Sequence, residues 1–373
     1  MDIYDKLGVR KVINAQGTVT SVGGSLMPQE AYQAMAEAGR SFVFLNELHQ
    51  KAGAYIARLL GVEAAYVSSG AAGGMVLATA ACLTGIAQDK IWALPDTNGW
   101  KNEIVVQKSD AANYVYQGMR HTGAHLVEVG TTRGTTVSQI EGGLTDKTVA
   151  IQLYLGRKEQ PSVAEVTQIA QQADVRIIVD AAAELPPRSN FTEPLEQGAD
   201  LVVFSGGKGI FGPQATGLIL GRNELVEACL LNSNPHSSIG RPLKVGKEDI
   251  CALIAALERF VSRDEETEIQ EYKRRADTIV EEIGNIHSVR VQTLIADPRA
   301  RPVIPRVYID LDPGYALTGE EICQRMLDGV PPVVMGAMDT GVRVDVMMLE
   351  EWELRAVARR LKEVLSGDQQ VVV

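Results

Sequence analysis

Three short runs between residues 147 and 206, "KTVAIQLYL", "VRIIVDAA" and "ADLVVFSG", are apolar at nearly every position, with helical periodicity between them. No other feature narrows the fold as much. A strand with one wet face alternates apolar and polar residues. A strand apolar throughout is buried on both faces, which calls for a parallel sheet with helices above and below. The pattern extends towards the N-terminus: helix 46–60, strand 64–69, helix 71–85, then strands at 102–108 and 124–130. "ATGLILG" (215–221) follows "ADLVVFSG" too closely for a helical crossover, so it is expected to run antiparallel. The fold class is α/β, with a mixed, mostly parallel seven-stranded sheet in a large domain.

The remaining chain arranges itself around that sheet. Residues 1–45 read as an N-terminal arm with turns at Gly17 and "VGGS" (22–25) and a helix from Pro28. Residues 46–245 form the large domain. Residues 246–373 supply a linker helix and a small α+β C-terminal domain. The linker keeps its helical period for about forty residues, longer than a globular helix sustains, so a kink is expected near Arg263. "TGEE" (318–321) is a capping box that opens a later helix.

Charge and composition exclude several classes. A formal net charge of −11 opposes broad attraction to nucleic acid or anionic lipid, so neither is expected as a partner. An anionic ligand must then be held by a local pocket. Cys82, Cys229, Cys251 and Cys323 show neither pairing nor metal spacing and read as reduced thiols of a cytoplasmic protein. The histidines lack an HExxH arrangement, so no metal is expected. The N-terminus has no apolar signal core. The run 70–87 is long enough for a membrane span but is built from Gly, Ala and Thr, and reads as a buried helix.

The chemistry concentrates in "VVFSGGKGIFGPQATG" (202–217). Its "GKGIFG" matches a dinucleotide fingerprint letter for letter. That fingerprint must open a helix, however, and here Pro213 and a short strand follow. A different reading fits the residues. Lys208 stands at the end of an apolar strand among small residues, where partial desolvation lowers an amine's pKa and lets it form an imine. Pyridoxal phosphate (PLP) enzymes need such a lysine, and also a carboxylate against the pyridine nitrogen. Asp180 ends the strand "RIIVD" and, in a parallel sheet, opens on the same edge. Alone it reads as a helix N-cap; paired with Lys208 it reads as the ring partner. "SSGAAGG" (68–74), with Ser69 at the strand end, is either an ordinary N-cap or the phosphate cup at a helix start. Ser205 adds a hydroxyl three residues before Lys208.

With these residues in place, the sequence resembles the selenocysteine synthase-like family of fold type I PLP enzymes, including its amino-sugar-acid ammonia lyases. The resemblance is carried by "KLGVRKVINAQGTVTSVGGSLMP" (6–28), "EAAYVSSGAAGGMVLATAACLTG" (63–85), "IIVDAAAELPP" (177–187), "FSGGKGIFGPQATGLILG" (204–221) and "GRPLKVGKED" (240–249). It implies a transferase-like fold type I architecture. It implies Lys208 as the Schiff-base lysine, Asp180 as the pyridinium partner, and Ser69, Gly70 and Ala71 as the phosphate cup. It further implies a homodimer or higher homo-oligomer, with Gln214 close to the neighbour's cofactor. The implied reaction removes ammonia from a small hydroxy amino acid or amino sugar acid, D-glucosaminate 6-phosphate for example, through α-proton abstraction and β-hydroxyl loss. Racemisation, retro-aldol cleavage and another β-elimination start from the same imine and stay open. Selenium transfer and non-catalytic cofactor binding rank below them. An anionic, amino-acid-like substrate needs cations. Arg10 and Arg241 lie in resembling segments, and Arg343 lies in the small domain, where related folds place a carboxylate-binding arginine. The sequence departs from the family at Ser109, Asp110 and Ala111, where relatives carry a histidine suited to the ring face.

Overall fold

The computed structural model describes residues 2–110, 114–157, 159–295 and 302–367, apart from the side chains of Asp110 and Tyr114. Two compact units divide the chain: Leu26–Arg263, and Met1–Ser25 together with Asp264–Val373.

The first strand, β1 (Ile13–Ala15), belongs to the smaller unit. The larger unit holds β2 (Ala64–Ser69), β3 (Glu103–Gln107), β4 (His125–Val129), β5 (Thr148–Tyr154), β6 (Arg176–Asp180), β7 (Leu201–Ser205) and β8 (Thr216–Gly221). These form one seven-stranded sheet in the order β2-β8-β7-β6-β5-β3-β4. Pairs β3–β4, β3–β5, β5–β6 and β6–β7 are parallel, while β8 runs antiparallel to both β2 and β7. The sheet is thus mixed and mostly parallel, and its one reversed strand is "ATGLILG".

Both faces of this sheet are covered, which is why its strands read as continuous apolar runs. Ala65, Val67, Ile177, Val179, Val202 and Phe204 enter one apolar cluster. Their chain neighbours Tyr66, Ile178, Leu201 and Val203 enter a second. Successive side chains of a strand point to opposite faces, so each strand feeds both cores. At about 1.5–3 kcal/mol per fully buried Val, Ile or Leu, these two layers are the main stabilising mass of the unit.

The Gly/Ala/Thr-rich run forms the helix Gly70–Thr84, buried over most of its circumference. Its small residues let it lie close against the sheet: a Cβ on Gly74 would fall 2.6 Å from Val203 Cγ1. Low side-chain volume here serves packing. Among the described residues, no helix is long and apolar enough to cross a membrane.

The helical stretch after residue 246 is broken where a kink was expected. Helix Lys247–Ser262 stops at Arg263, whose backbone is extended, and Glu265–Ile283 restarts behind an Asp264 N-cap. The division between the two units falls at this break, and between Ser25 and Leu26 at the arm. The sequence boundaries at 45/46 and 245/246 lie elsewhere, because helices Gln29–Ala38 and Lys247–Ser262 both pack within the larger unit.

The smaller unit adds β9 (Val289–Leu294), β10 (Arg306–Leu311), β11 (Val333–Met338) and β12 (Gly341–Asp345). With β1 they form a five-stranded sheet in the order β1-β11-β12-β10-β9. Residues Ile13–Ala15 of the arm pair parallel with β11. The capping box is present: Thr318 and Glu321 satisfy each other's backbone N–H at the start of helix Gly319–Leu327.

Candidate active site

The site is built at the C-terminal ends of β2, β6 and β7, within the larger unit. Cross-strand register places Ser69 opposite Thr216, Ser205 opposite Gly217, and Asp180 beside Val203. These ends meet at one sheet edge, where backbone groups and side chains face outward rather than into the ladder.

Asp180 is the last residue of β6 and is 8% exposed. Its Oδ1 accepts a hydrogen bond from the Ala182 backbone N–H at 2.9 Å. The turn that follows closes with Glu184 N–H donating to the Ala181 carbonyl at 3.2 Å. Asn190 Nδ2 also donates to the Glu184 carbonyl. The loop after β6 is therefore a fixed turn with two carboxylates four residues apart in sequence.

Lys208 lies three residues beyond β7 in the hairpin that leads to β8. It is half-buried. Burial pushes its ammonium below the usual lysine range, while the charges of Asp180 and Glu184 pull it back up. The glycines around it are required by close approach. A Cβ at Gly207 would fall 2.3 Å from Gln214 Cα, and one at Gly209 would fall 2.2 Å from the Leu185 carbonyl oxygen. The Lys208 loop thus lies directly on the turn that carries Glu184. Phe211 completes the loop in the left-handed region, at φ 62°, a strained conformation for a bulky residue. Its N–H donates to the Lys208 carbonyl at 3.0 Å.

Ser69 occupies the N-cap position of Gly70–Thr84, yet its side chain makes no capping hydrogen bond. Ser68 donates instead to the Gly70 carbonyl at 3.0 Å. Gly70 has φ +66°, and nothing lies within 4 Å of where its Cβ would be. The first turn of a 15-residue helix, whose leading N–H groups have no intrahelical partners, begins at this residue. An acid, a partly desolvated amine and an anion-binding helix start in one unit suit the donor set of pyridoxal phosphate. Lys208 would hold its aldehyde carbon, Asp180 its ring nitrogen, and Ser69, Gly70 and Ala71 its phosphate.

The other expected residues are placed as follows. Ser205 is half-buried at the end of β7, and the Gln214 side chain is exposed. Arg241 is exposed in a turn where its N–H donates to the Ser238 carbonyl. Leu243, two residues on, comes within 3.8 Å of the Cβ position of Gly73, so this segment borders the first turn of the helix Gly70–Thr84. Arg10, exposed, and Arg343, half-buried within β12, belong to the smaller unit. Ala111 and the Asp110 side chain lie outside the described residues, so the departure at 109–111 is a sequence observation. Among the described residues no cluster of His, Cys, Asp or Glu could hold a metal ion.

Sequence reasoning missed Glu184. The available signal was its place in the loop after a strand that ends at the ligand edge. It also missed His49. That residue lines a cavity of about 380 Å³ with Tyr66, Glu227 and His236. The cavity lies at the start of β2, whereas Ser69 ends the same strand about 16 Å away. Burial, with a smaller contribution from His236, pushes the His49 imidazole down to about 4.

Comparison with known proteins agrees with this geometry. A family model described as SelA, L-seryl-tRNA selenium transferase, matches residues 12–272. The chain is 35% identical to a D-glucosaminate-6-phosphate ammonia lyase from Salmonella typhimurium, over 69% of this chain and 70% of that protein. It is 31% identical to a 5'-C-glycyluridine monooxygenase-decarboxylase from a Streptomyces species, over 97% of this chain and 92% of that protein. A solved structure of D-glucosaminate-6-phosphate ammonia lyase superposes with a TM-score of 0.82 at 28% identity, covering 98% of this chain and 99% of the other. A PLP-bound serine palmitoyltransferase shares the fold at a TM-score of 0.61 and 13% identity, over 95% of this chain and 88% of that one. With more than half of its length matched by the family model and the lysine–aspartate pair at one sheet edge, the chain belongs to the SelA family, PLP-dependent enzymes of fold type I.

Proposed function

We propose that this chain is a PLP-dependent lyase that releases ammonia from a small hydroxy amino acid or amino sugar acid, with D-glucosaminate 6-phosphate as the first substrate to test. One observation carries the reading: Lys208 is half-buried within the electrostatic reach of Asp180, at the sheet edge where the helix Gly70–Thr84 also starts. The similarity to the ammonia lyase, in sequence and in structure, supports the reaction class.

When bound, the cofactor supplies an electron sink for the charge left at the substrate's α-carbon. The chain's residues do the rest. Asp180 keeps the ring nitrogen protonated, and its burial strengthens that contact. Ser69, Gly70 and Ala71 hold the phosphate at the helix start. Lys208, its charge disfavoured by burial, takes the α-proton on Nζ. The β-hydroxyl departs with a proton as water, and the enamine product hydrolyses to a 2-keto-3-deoxy acid and ammonia. Arg10, Arg241 and Arg343 are the proposed holders of the substrate's anionic groups. In this reading Gln214 is the polar group offered to a neighbouring subunit's cofactor. A homodimer or larger homo-oligomer is supported by exposed Phe42, Val43 and Phe44, apolar surface that a second copy would cover. The proposed location is the cytoplasm.

The test is direct. Purified protein should be yellow, and borohydride should fix the cofactor on the peptide containing Lys208. D-glucosaminate 6-phosphate should then yield ammonia and a keto acid in equal amounts. Fixation elsewhere sinks the site; fixation on Lys208 without either product sinks the reaction. A second reading, oxidative decarboxylation, is favoured by the alignment with the monooxygenase-decarboxylase over 97% of the chain. Dioxygen uptake with carbon dioxide release, without ammonia from the amino sugar acid, would establish it.

A further inference from the structure

Two carboxylates attend Lys208, and the chemistry above uses only Asp180. Glu184 follows it by four residues, and its backbone is held from two sides: its N–H donates to the Ala181 carbonyl, and its carbonyl accepts from Asn190 Nδ2. The next carbonyl, that of Leu185, packs so closely on Gly209 that no side chain fits there. Gly209 is the neighbour of Lys208. The two loops are therefore locked together within one residue of both Glu184 and Lys208, and the half-buried Glu184 acts on the lysine through its charge.

We propose that Glu184 is a positioning residue that holds the proton on Lys208 during the reaction, a role that rests on the lyase reading. Asp180 is committed to the ring nitrogen once the cofactor is bound. Glu184 is the second carboxylate whose charge favours the Lys208 ammonium after Nζ accepts the α-proton. The balance is simple. The α C–H bond breaks and its proton goes to Nζ. The β C–O bond breaks, the oxygen keeps the electron pair, takes a proton from Nζ and leaves as water. A lysine without a counter-charge in this half-buried loop would shed its proton before the hydroxyl could collect it.

The charged surroundings of Lys208 are few. Its own loop, residues 206–215, contains no other charged residue, and neither does the "SSGAAGG" segment. Beyond the β6 turn, Arg188 Nη1 donates to the Val261 carbonyl. Among the described residues, Asp180 and Glu184 are the carboxylates whose charge acts on it.

The experiment is a pH titration of the holoenzyme's visible absorbance, which follows the proton on the Lys208–cofactor nitrogen without requiring turnover. Glu184→Gln should lower the midpoint by about one pH unit, because removal of a neighbouring negative charge disfavours the cation. Glu184→Asp, which keeps the charge, should return most of that shift. Glu184→Ala serves if the glutamine variant does not fold. A midpoint equal to the parent's in whichever of the two neutral variants is folded and yellow overturns the inference. The parent chain separates this failure from that of the lyase reading. If the parent releases ammonia and keto acid while the variant titrates as the parent does, only the role of Glu184 falls.

Discussion

Each unit contains a buried cation beside an acid, and the two pairs are built differently. In the smaller unit Arg306 and Asp345 face each other across β10 and β12, both at most 5% exposed by side chain, with Nε 2.6 Å from Oδ2. That pair is tied on further sides. Arg306 Nη1 donates to the Pro302 carbonyl at 2.6 Å, and Asp345 Oδ1 accepts from Met347 N–H at 2.9 Å. Arginine keeps its proton under all ordinary conditions, so this pair can only hold structure. In the larger unit the cation is a lysine, less buried, weakened by desolvation and set in a glycine loop. One pair is held by several hydrogen bonds and keeps its proton; the other is able to exchange one. The choice of cation and the completeness of its hydrogen bonding separate a strut from a reactive centre.

The comparison can be broken in four ways. The largest effect belongs to Lys208→Ala, which should lower ammonia release by about a thousandfold or more and abolish borohydride fixation, with the urea midpoint of the cofactor-free chain unchanged or raised. Retained turnover would make the lysine another strut. Next, Arg306→Met should cost about 3–5 kcal/mol in denaturant unfolding, because it strands the Asp345 charge, and the double variant with Asp345→Leu should recover most of the loss. A mild single-variant effect would mean that the pair is not the strut described.

The third prediction tests whether an unpaired buried base behaves as the opposite of the arginine pair. Among the described residues neither nitrogen of the His49 ring has a hydrogen-bond partner, and its folded pKa is depressed to about 4 against 6.5 unfolded. A depressed group contributes stability that is present above pH 6.5 and is lost as pH falls through about 4. The expected loss over that window is roughly 2–3 kcal/mol, and His49→Gln should flatten it. An equally steep acid limb in the variant would discount His49. The smallest effect is that of Gly209→Ala, about 1–3 kcal/mol from the clash with the Leu185 carbonyl, accompanied by a change in the cofactor's absorbance. An unaltered spectrum would show that the Lys208 loop does not depend on its contact with the β6 turn.

The larger sheet was legible because double-sided burial prints itself on the sequence as unbroken Val/Ile/Leu runs, and the reversal of β8 because ten residues are too few for a crossover. Lys208 and Asp180 were legible only as a pair: Asp180 alone reads as an N-cap, and a lysine in a glycine loop at the same sheet edge is what changes the reading. The pairing of β1 with β11 was not legible. Three residues of the arm join a strand about 320 residues later, and neither segment names its partner. The pairing of Arg306 with Asp345 depends on the register of β10 and β12, which is settled by their tertiary neighbours. The charge of Glu184 acts on Lys208 from a loop that meets the lysine's own where Leu185 packs on Gly209, a contact between loops that no sequence pattern pairs.

The reversed strand has one more consequence. Because β7 and β8 are adjacent and antiparallel, the segment bearing Lys208 is anchored at both ends on neighbouring rungs of one ladder, about 5 Å apart. A crossover loop leads into a helix that can slide; this hairpin has no such slack. The amine is the stationary point of the enzyme, and relatives that handle different molecules must differ in the pieces brought to it, not in where it stands.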